Sequence, residues 1–300
     1  MTAWLLSVEG TEAGHRLALI LALAAALLHA IFGALQKGRH DPWLSRGAID
    51  ASYSLMAAPF ALLVVPWPEP LLWPILAWSL VVHVGYKVAQ GITYSLGAYT
   101  VVYPVVRGTG PFFAVIGAGI LFGERFTVLQ WLGVLVLMSG IFGLALYNLR
   151  HVTLQRDRLP MALAMAVLTG MFVAAYTTWD AFGIRSTANP FTFLAWFFFL
   201  DGLTILPYAA WRYARMPDRP APGPLAARGL TGGLVAFASF GSIMLATRLD
   251  DVGEAAVLRE TSTVFAALIG WLMLGEKVGP RRLALMALIA AGAVIVEAAG

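Results

Sequence analysis

The chain contains no cysteine, and only 12% of its 300 residues carry a charge. Without cysteine, disulfide bonds, thiol catalysis and cysteine metal sites are excluded. Soluble domains carry about 25% charged residues, whereas this chain is 60% hydrophobic, so a water-soluble globule is excluded as well. The small net charge of +4 fits the loops of an integral membrane protein, which contacts the lipid bilayer and no nucleic acid.

Motifs of common enzymes are also missing. The chain has no HExxH pair, no GxSxG nucleophile elbow and no phosphate-binding P-loop. We therefore predict no enzymatic activity, no cofactor and no metal site. Without a nucleotide site, nucleotide hydrolysis is excluded as an energy source, which leaves an ion gradient, for which the proton is one candidate, or no energy input at all.

Long apolar runs fill nearly the whole chain. A helix needs about 20 apolar residues to cross a bilayer, and these runs lack the alternation typical of barrel strands. They predict an all-α integral membrane protein with ten transmembrane helices, at residues 17–36, 47–65, 71–94, 98–122, 129–147, 159–182, 190–212, 226–247, 252–274 and 282–298.

Basic residues collect in alternate loops. Lysine and arginine concentrate near residues 37–46, 150–158, 212–228 and 277–282, and the opposite loops hold fewer of them. Because cytoplasmic loops carry the excess of basic residues, we predict that these loops are cytoplasmic. Both termini then lie outside, and the membrane is predicted to be a bacterial inner membrane.

One unusual stretch occurs twice. Residues 105–125 read "VVRGTGPFFAVIGAGILFGER", and residues 257–277 read "VLRETSTVFAALIGWLMLGEK". Both stretches carry an arginine at membrane depth and end in Gly-Glu followed by a basic residue. The repeat predicts a tail at 1–16 and two five-helix halves, 17–149 and 150–300. Five is odd, so the halves are inverted relative to each other, as in transporters that bind substrate between their repeats.

These stretches resemble the two EamA repeats of the drug/metabolite transporter superfamily. The paired "GER" and "GEK" endings and the first-helix sequence "ALLHAIFGALQK" at 26–37 carry the resemblance. It implies ten helices in two inverted halves and the movement of small organic molecules, often amino acids or related metabolites, with export in many members. Familiar members often begin with a basic segment, whereas Glu9 and Glu12 precede the first span here.

A polar stripe runs along the third span. His83, Lys87, Gln90 and Tyr94 recur at intervals that place them on one helical face. A lysine facing lipid would cost about 2.5–3.5 kcal/mol on insertion scales. The stripe therefore either lines a substrate cavity or locks helices together through a buried polar network.

Arg107 and Arg259 occupy equivalent positions in the two halves. A guanidinium presents a planar fork that fits a carboxylate or phosphate. These arginines therefore either bind an anionic group on the substrate or pair with a carboxylate such as Glu260, Asp180 or Asp50 to hold a gate.

Further pathway candidates are polar or aromatic residues on spans one, four and six. Such groups are rare at membrane depth and mark functional sites by default. The alternatives are a structural role for the lone histidine and an end-of-helix position for the aspartate. The set comprises His29, Tyr103, Tyr176, Trp179 and Asp180.

Small residues and a proline interrupt the fourth span at Gly108, Gly110 and Pro111. Proline removes a backbone donor, so "RGTGP" is either a simple kink or a broken helix end that points at a ligand. The matching "RETST" has neither glycine nor proline, so a break, if "RGTGP" is one rather than a kink, is expected in the first half only.

The Gly-Glu pairs that end the repeated stretches, Gly123 with Glu124 and Gly275 with Glu276, suit structural turns. Each glutamate is expected to hold the start of the next helix by contacts to backbone N–H groups.

The sequence thus predicts a secondary transporter for small organic metabolites, with an amino acid or related carboxylate as substrate and alternating access as mechanism. Two alternatives are a flippase for an anionic headgroup and a membrane scaffold that transports nothing. Monomer and homodimer both remain open.

Overall fold

All regular structure in the described ranges is helical. The computed structural model describes residues 2–35, 41–97, 99–149, 158–274 and 279–300. The helices are α1 Thr2–Val8, α2 Glu12–Leu35, α3 Pro42–Pro59, α4 Leu72–Leu96, α5 Tyr99–Phe122, α6 Val128–Leu149, α7 Leu159–Arg185, α8 Pro190–Thr204, α9 Leu206–Arg215, α10 Pro222–Leu249, α11 Val252–Arg259, α12 Ser262–Leu274 and α13 Pro280–Ala298. A π-helical turn, Phe60–Val64, extends α3.

Nine membrane spans are supported by helix length and composition within the described ranges. The predicted tenth span corresponds to α13, which has 19 residues but carries Arg281, Arg282 and Glu297. Large apolar side chains are exposed on the outside of the helices, including Leu63 at 83% and Ile120 at 78%. Exposed apolar surfaces of this kind are expected where helices contact the hydrocarbon core of a bilayer.

Helical structure extends into the N-terminal tail that the sequence predicts at 1–16. Residues 2–8 form α1, and α2 begins at Glu12 rather than at residue 17. Gly10 lies in the turn between α1 and α2 and has a φ of 72°, a conformation that glycine adopts without strain. Thr11 then accepts a hydrogen bond from the Gly14 N–H at 3.2 Å and so caps α2.

The seventh span is divided at Ile205 into α8 and α9. Pro207 has no N–H to continue the helical ladder, which explains the break. The start of α8 is capped by Asn189, whose side-chain oxygen accepts from the Phe191 N–H at 3.1 Å. The predicted span at 190–212 agrees with the candidate membrane span Pro190–Arg215, although this span consists of two helices.

The fourth and ninth spans reverse the prediction about helix breaks. Helix α5 runs without interruption through Gly108, Gly110 and Pro111, whereas "RETST" separates α11 from α12. At the break, the Thr261 and Thr263 hydroxyls donate to the carbonyls of Leu258 and Glu260. Serine and threonine compete for backbone carbonyls in this way, so a helix can break without glycine or proline.

The helix contacts follow a regular pattern. Helix α2 packs against α10, α11 and α12, and helix α7 packs against α4 and α5. Three further pairs, α3 with α8, α5 with α11, and α6 with α13, join spans at equivalent positions of the two predicted halves. The polar residues at membrane depth lie where these helices meet.

Candidate functional site

Arg107 of α5 binds the residues at the break between α11 and α12 in the ninth span. Its Nε lies 2.8 Å from Glu260 Oε2, and its Nη2 donates to Ser262 Oγ at 2.8 Å and to the Arg259 carbonyl at 3.3 Å. The cation thus binds the carbonyl end of α11 and the start of α12. A positive charge is favourable at a helix C-terminus, so this arginine stabilises the interruption.

Arg259 has different surroundings from Arg107, although the sequence repeat makes them equivalent. Its side chain is buried at 5% exposure, and no carboxylate oxygen of the described residues lies within 4.0 Å. Its Nη2 lies 3.5 Å from Thr177 Oγ1, its guanidinium sits 5.9 Å from the Tyr176 ring centre, and its Nε has no hydrogen-bond partner among the described residues. Glu260, the residue next to Arg259, pairs with Arg107 instead.

His83 and Asp180 form a second buried pair close to Arg259. His83 Nε2 lies 2.7 Å from Asp180 Oδ2, and Asp180 Oδ1 has no hydrogen-bond partner in the described structure. The His83 ring contacts Tyr176, Phe197 and Phe240 at centroid distances of 4.6, 4.8 and 5.5 Å. Tyr176 consequently contacts both His83 and Arg259.

Other predicted pathway residues gather around the same centre. Gln90 donates to the Tyr86 hydroxyl at 2.6 Å, and the Tyr86 ring lies 5.0 Å from the Tyr176 ring. His29 and Tyr103 lie within electrostatic range of both arginines. The structure thus brings together residues from α2, α4, α5, α7 and α11. Tyr94 lies about three turns beyond His83 and two turns beyond Lys87 along α4, and it is partly buried.

Trp179 does not join this group. Its indole Nε1 donates to the Ile75 carbonyl at 3.0 Å, and its ring packs on Phe182 at 5.3 Å. These contacts tie α7 to α4 near the start of α4. Its predicted place in the substrate pathway therefore has no support in this geometry.

Lys87 lies in a separate buried network. Its Nζ is 2.8 Å from Asp50 Oδ2 and 3.0 Å from Asp201 Oδ2, and it donates to Thr204 Oγ1 at 3.0 Å. Arg46 Nε lies 2.7 Å from the second oxygen of Asp50. The two cations balance the two carboxylates, so this network matches the lock that was one of the two sequence interpretations.

Sequence reasoning assigned no role to Arg46 or Tyr53, and it left Asp201 as either a proton site or the partner of a buried arginine. Tyr53 donates to Asp201 Oδ2 at 2.5 Å. The available signal was a carboxylate at membrane depth in each of spans two and seven, which required a buried cation as partner. Which cation lay between them could not be read from helical spacing.

The glycines beside Arg107 serve helix packing. A Cβ on Gly110 would meet Val173 at 3.1 Å, and one on Gly108 would meet Ile141 and Phe142 at 3.2 Å. On the facing helix, a Cβ on Gly170 would collide with Thr109. The small residues therefore let α5 approach α6 and α7 closely.

Glu124 binds backbone N–H groups as expected, but on a different helix. Its oxygens accept from Val252 N at 2.9 Å and Gly253 N at 3.0 Å, which caps α11 instead of the adjacent α6. Burial raises the pKa of Glu124, while the two N–H hydrogen bonds act in the opposite direction. Gly123 precedes it with a φ of 72°. Gly275 and Glu276 lie outside the described residues.

The start of α6 is held by its own residues. Thr127 N donates to Gln130 Oε1 at 2.8 Å, and Gln130 N donates to Thr127 Oγ1 at 3.2 Å. This reciprocal arrangement is a capping box, so α6 needs no contact from Glu124.

A cluster with metal-ligating chemistry lies where α2 begins and α10 ends. His15, Asp250 and Glu254 each offer a ligand atom within 4.8 Å of the others. His15 is already paired with Asp250 and Glu297, and Gln130 donates to Glu254 at 2.5 Å. A cavity of about 10 Å³ beside it is about the size of one water. Internal pairs therefore account for these groups.

Together, these features define the class as a multi-span helical membrane protein with charged side chains buried between its helices. Residues 160–297 match the model of the EamA-like transporter family. This match confirms the predicted EamA resemblance: the second half of the chain is similar to that family of membrane transporters.

The fold has a close counterpart among solved structures. The chain is similar to a protein known from a crystal structure, with a TM-score of 0.76 over 93% of this chain and 95% of that chain. The two sequences are 18% identical, so the likeness concerns the fold alone. No curated protein matches the chain.

Proposed function

We propose that this protein is a secondary transporter for small organic anions, with Arg259 as the residue that binds the anionic group. The observation that carries the proposal is a buried guanidinium without a carboxylate partner in the described structure. A buried charge without a partner is strongly destabilising. A bound carboxylate would remove that cost and could form two parallel hydrogen bonds to the guanidinium.

Arg107 is not the anion site in this proposal, because Glu260 and Ser262 already occupy its guanidinium. Its role is to hold the break between α11 and α12. Broken helices at membrane depth are a recurring element of transporter binding sites. The break places Arg259 at the end of α11, where its side chain contacts residues of α7.

The aromatic side chains near Arg259 favour an amphipathic carboxylate. Tyr176 contacts the guanidinium, and Tyr86 packs against Tyr176. An apolar wall with a few polar groups is typical of small-molecule sites. Aromatic amino acids and aromatic 2-oxo acids combine a carboxylate with a ring that fits such a wall.

For the mechanism, we infer alternating access of two inverted halves, residues 17–149 and 150–300. Helix α2 packs on α10, and their equivalents in the opposite halves, α7 and α4, also pack on each other. Likewise, α5 packs on α7, and their equivalents, α12 and α2, are in contact. These equivalent helix contacts support two related halves that meet around Arg107 and Arg259. The charge bias of the loops favours both termini outside a bacterial inner membrane.

Binding and uptake of phenylpyruvate test this function. The purified protein should bind phenylpyruvate more tightly than the uncharged 2-phenylethanol, and proteoliposomes should take it up. Arg259→Gln should lower phenylpyruvate affinity at least about tenfold, the equivalent of about 1.4 kcal/mol, while Arg259→Lys should retain part of it. Ser139→Ala, which loses only an exposed hydroxyl bonded within its own helix, is the matched control.

Equal affinity of wild type and Arg259→Gln would contradict the anion site. Movement of a fluorescent anionic lipid without uptake of phenylpyruvate or another carboxylate would favour the flippase alternative. A scaffold would do neither, and the missing carboxylate partner of Arg259 argues against it.

A further inference from the structure

The His83–Asp180 pair is separated from Arg259 by one aromatic ring, that of Tyr176. Both residues are buried, at 5% and 1% exposure, and their side chains meet at 2.7 Å. One proton leaves the pair neutral overall, on either residue. Loss of that proton leaves one negative charge, and the pair contacts Tyr176, which also contacts Arg259.

Other charged groups near the pair are already balanced. Asp201 of α8 is close enough to interact electrostatically with His83, but Lys87 of α4 pairs with it. Arg46 and Asp50 of α3 complete that neutral network. On α5, Arg107 is paired with Glu260.

The remaining neighbours carry no opposing charge. Helix α10 presents Phe240 to His83, and α8 presents Phe197. Tyr176 lies between the pair and Arg259 and packs on Tyr86. His29 of α2 is a further titratable group within electrostatic range of Arg259. The local balance therefore depends on Arg259, on the His83–Asp180 pair, on His29 and on any bound anion.

We propose that the His83–Asp180 pair is a proton-binding site that couples one proton to each transported anion. This inference rests on the proposed function. In the empty protein, the deprotonated pair balances Arg259. In the loaded protein, the anion balances Arg259, and the protonated pair is neutral. The two mixed states leave one unbalanced charge in a low-dielectric interior, which is costly.

Coupling follows from thermodynamic linkage. If an anion on Arg259 raises the affinity of the pair for a proton, then a proton on the pair raises the affinity for the anion by the same factor. Only the empty and the fully loaded protein are then well populated. The result is electroneutral co-transport of one proton with one monovalent anion.

Proteoliposomes containing the full-length protein and radiolabelled phenylpyruvate test the coupling. In wild type, a pH difference of about one unit, alkaline inside, should drive about tenfold accumulation, and a potassium–valinomycin membrane potential should have no effect. Asp180→Asn abolishes the negative state of the pair. It should move phenylpyruvate independently of the pH gradient and respond to the membrane potential instead.

Size-exclusion profiles and thermal unfolding establish whether each variant folds. If Asp180→Asn does not fold, Asp180→Ser serves as the second variant, because it also removes the negative state of the pair and should lose the pH drive in the same way. His15→Gln removes a different histidine–aspartate pair and should keep the wild-type dependence on the pH gradient.

Wild-type uptake that follows the membrane potential and ignores the pH gradient would overturn the proton site while leaving the anion transporter intact. If folded Asp180→Asn keeps the uptake that the pH gradient drives in wild type, the proton site is overturned as well. No uptake of phenylpyruvate or any other carboxylate by wild type would instead overturn the proposed function, and the coupling with it.

Discussion

Lys87 shows how a single side chain at membrane depth can be accommodated. Its ammonium group contacts two carboxylates and a hydroxyl, all within 3.0 Å, and only 1% of the side chain is exposed. A buried ion pair contributes little net stability, but removing one partner strands the other charge. The network therefore makes the fold sensitive to any change at this position.

We expect Lys87→Met to destabilise the protein by about 3–5 kcal/mol, because Asp50 and Asp201 would share only Arg46. Equilibrium unfolding in mixed micelles measures the change. Adding Asp201→Asn to this variant should recover part of the loss, since one stranded charge disappears. A Lys87→Met protein as stable as wild type would show that the network is not structural.

Residue types could be predicted from the sequence, but their partners could not. The rarity of charge in apolar spans identified Lys87, Arg107 and Arg259 as buried polar groups. Helical periodicity places His83 and Lys87 on one face, yet they bind different aspartates on different helices. Partners depend on helix rotation and depth, which a one-dimensional pattern does not contain.

At the scale of elements, the break between α11 and α12 depends on contacts from other helices. Glu124 caps the start of α11, and Arg107 binds its end. Helix α11 has only 8 residues, too few to be stable alone. Its position therefore depends on two side chains supplied by the first half of the chain.

Glu124→Ala should cost about 1–2 kcal/mol, because two N–H groups at the start of α11 lose their acceptor. Thermal unfolding in detergent measures the loss, and hydrogen exchange should increase at residues 252–259 more than in α13. Uniform exchange across both helices would contradict a local role. Glu124→Gln keeps an acceptor oxygen and should cost less.

Most elements follow from the sequence, because apolar runs and proline positions determine where helices can begin and end. The exceptions are instructive. Pro111 remains inside a continuous α5, where the close approach of α7 at Gly110 and Gly170 supports the helix. The break in "RETST" has no glycine or proline signal, because side-chain hydroxyls and Arg107 satisfy its backbone.

For the whole molecule, the contact between α6 and α13 joins the ends of the two predicted halves. A Cβ on Gly292 would lie 2.5 Å from Leu137 N and 2.6 Å from Gly133 O. A Cβ on Gly140 would meet the Leu285 carbonyl at 2.8 Å. The two backbones therefore touch, as in small-residue packing between membrane helices.

Gly292→Val should force α13 away from α6 and destabilise the protein by about 1–3 kcal/mol or more, as overpacking does. The apparent unfolding temperature in detergent and a pair of spectroscopic labels on the two helices measure the effect. Gly279→Ala, where a Cβ would meet no atom within 4 Å, is the control. An unchanged distance between the labels would contradict direct backbone packing.

The helical fold, the membrane environment and the resemblance to EamA-type transporters follow from the amino-acid sequence alone. They depend on composition, on the length of apolar runs and on repeated motifs, which can be read along the chain. The different surroundings of Arg107 and Arg259, the contact of Glu124 with α11 and the closed network around Lys87 are visible only in three dimensions. Those outcomes depend on which helices meet and at what depth, because a buried charge is stabilised only by the groups that surround it in space.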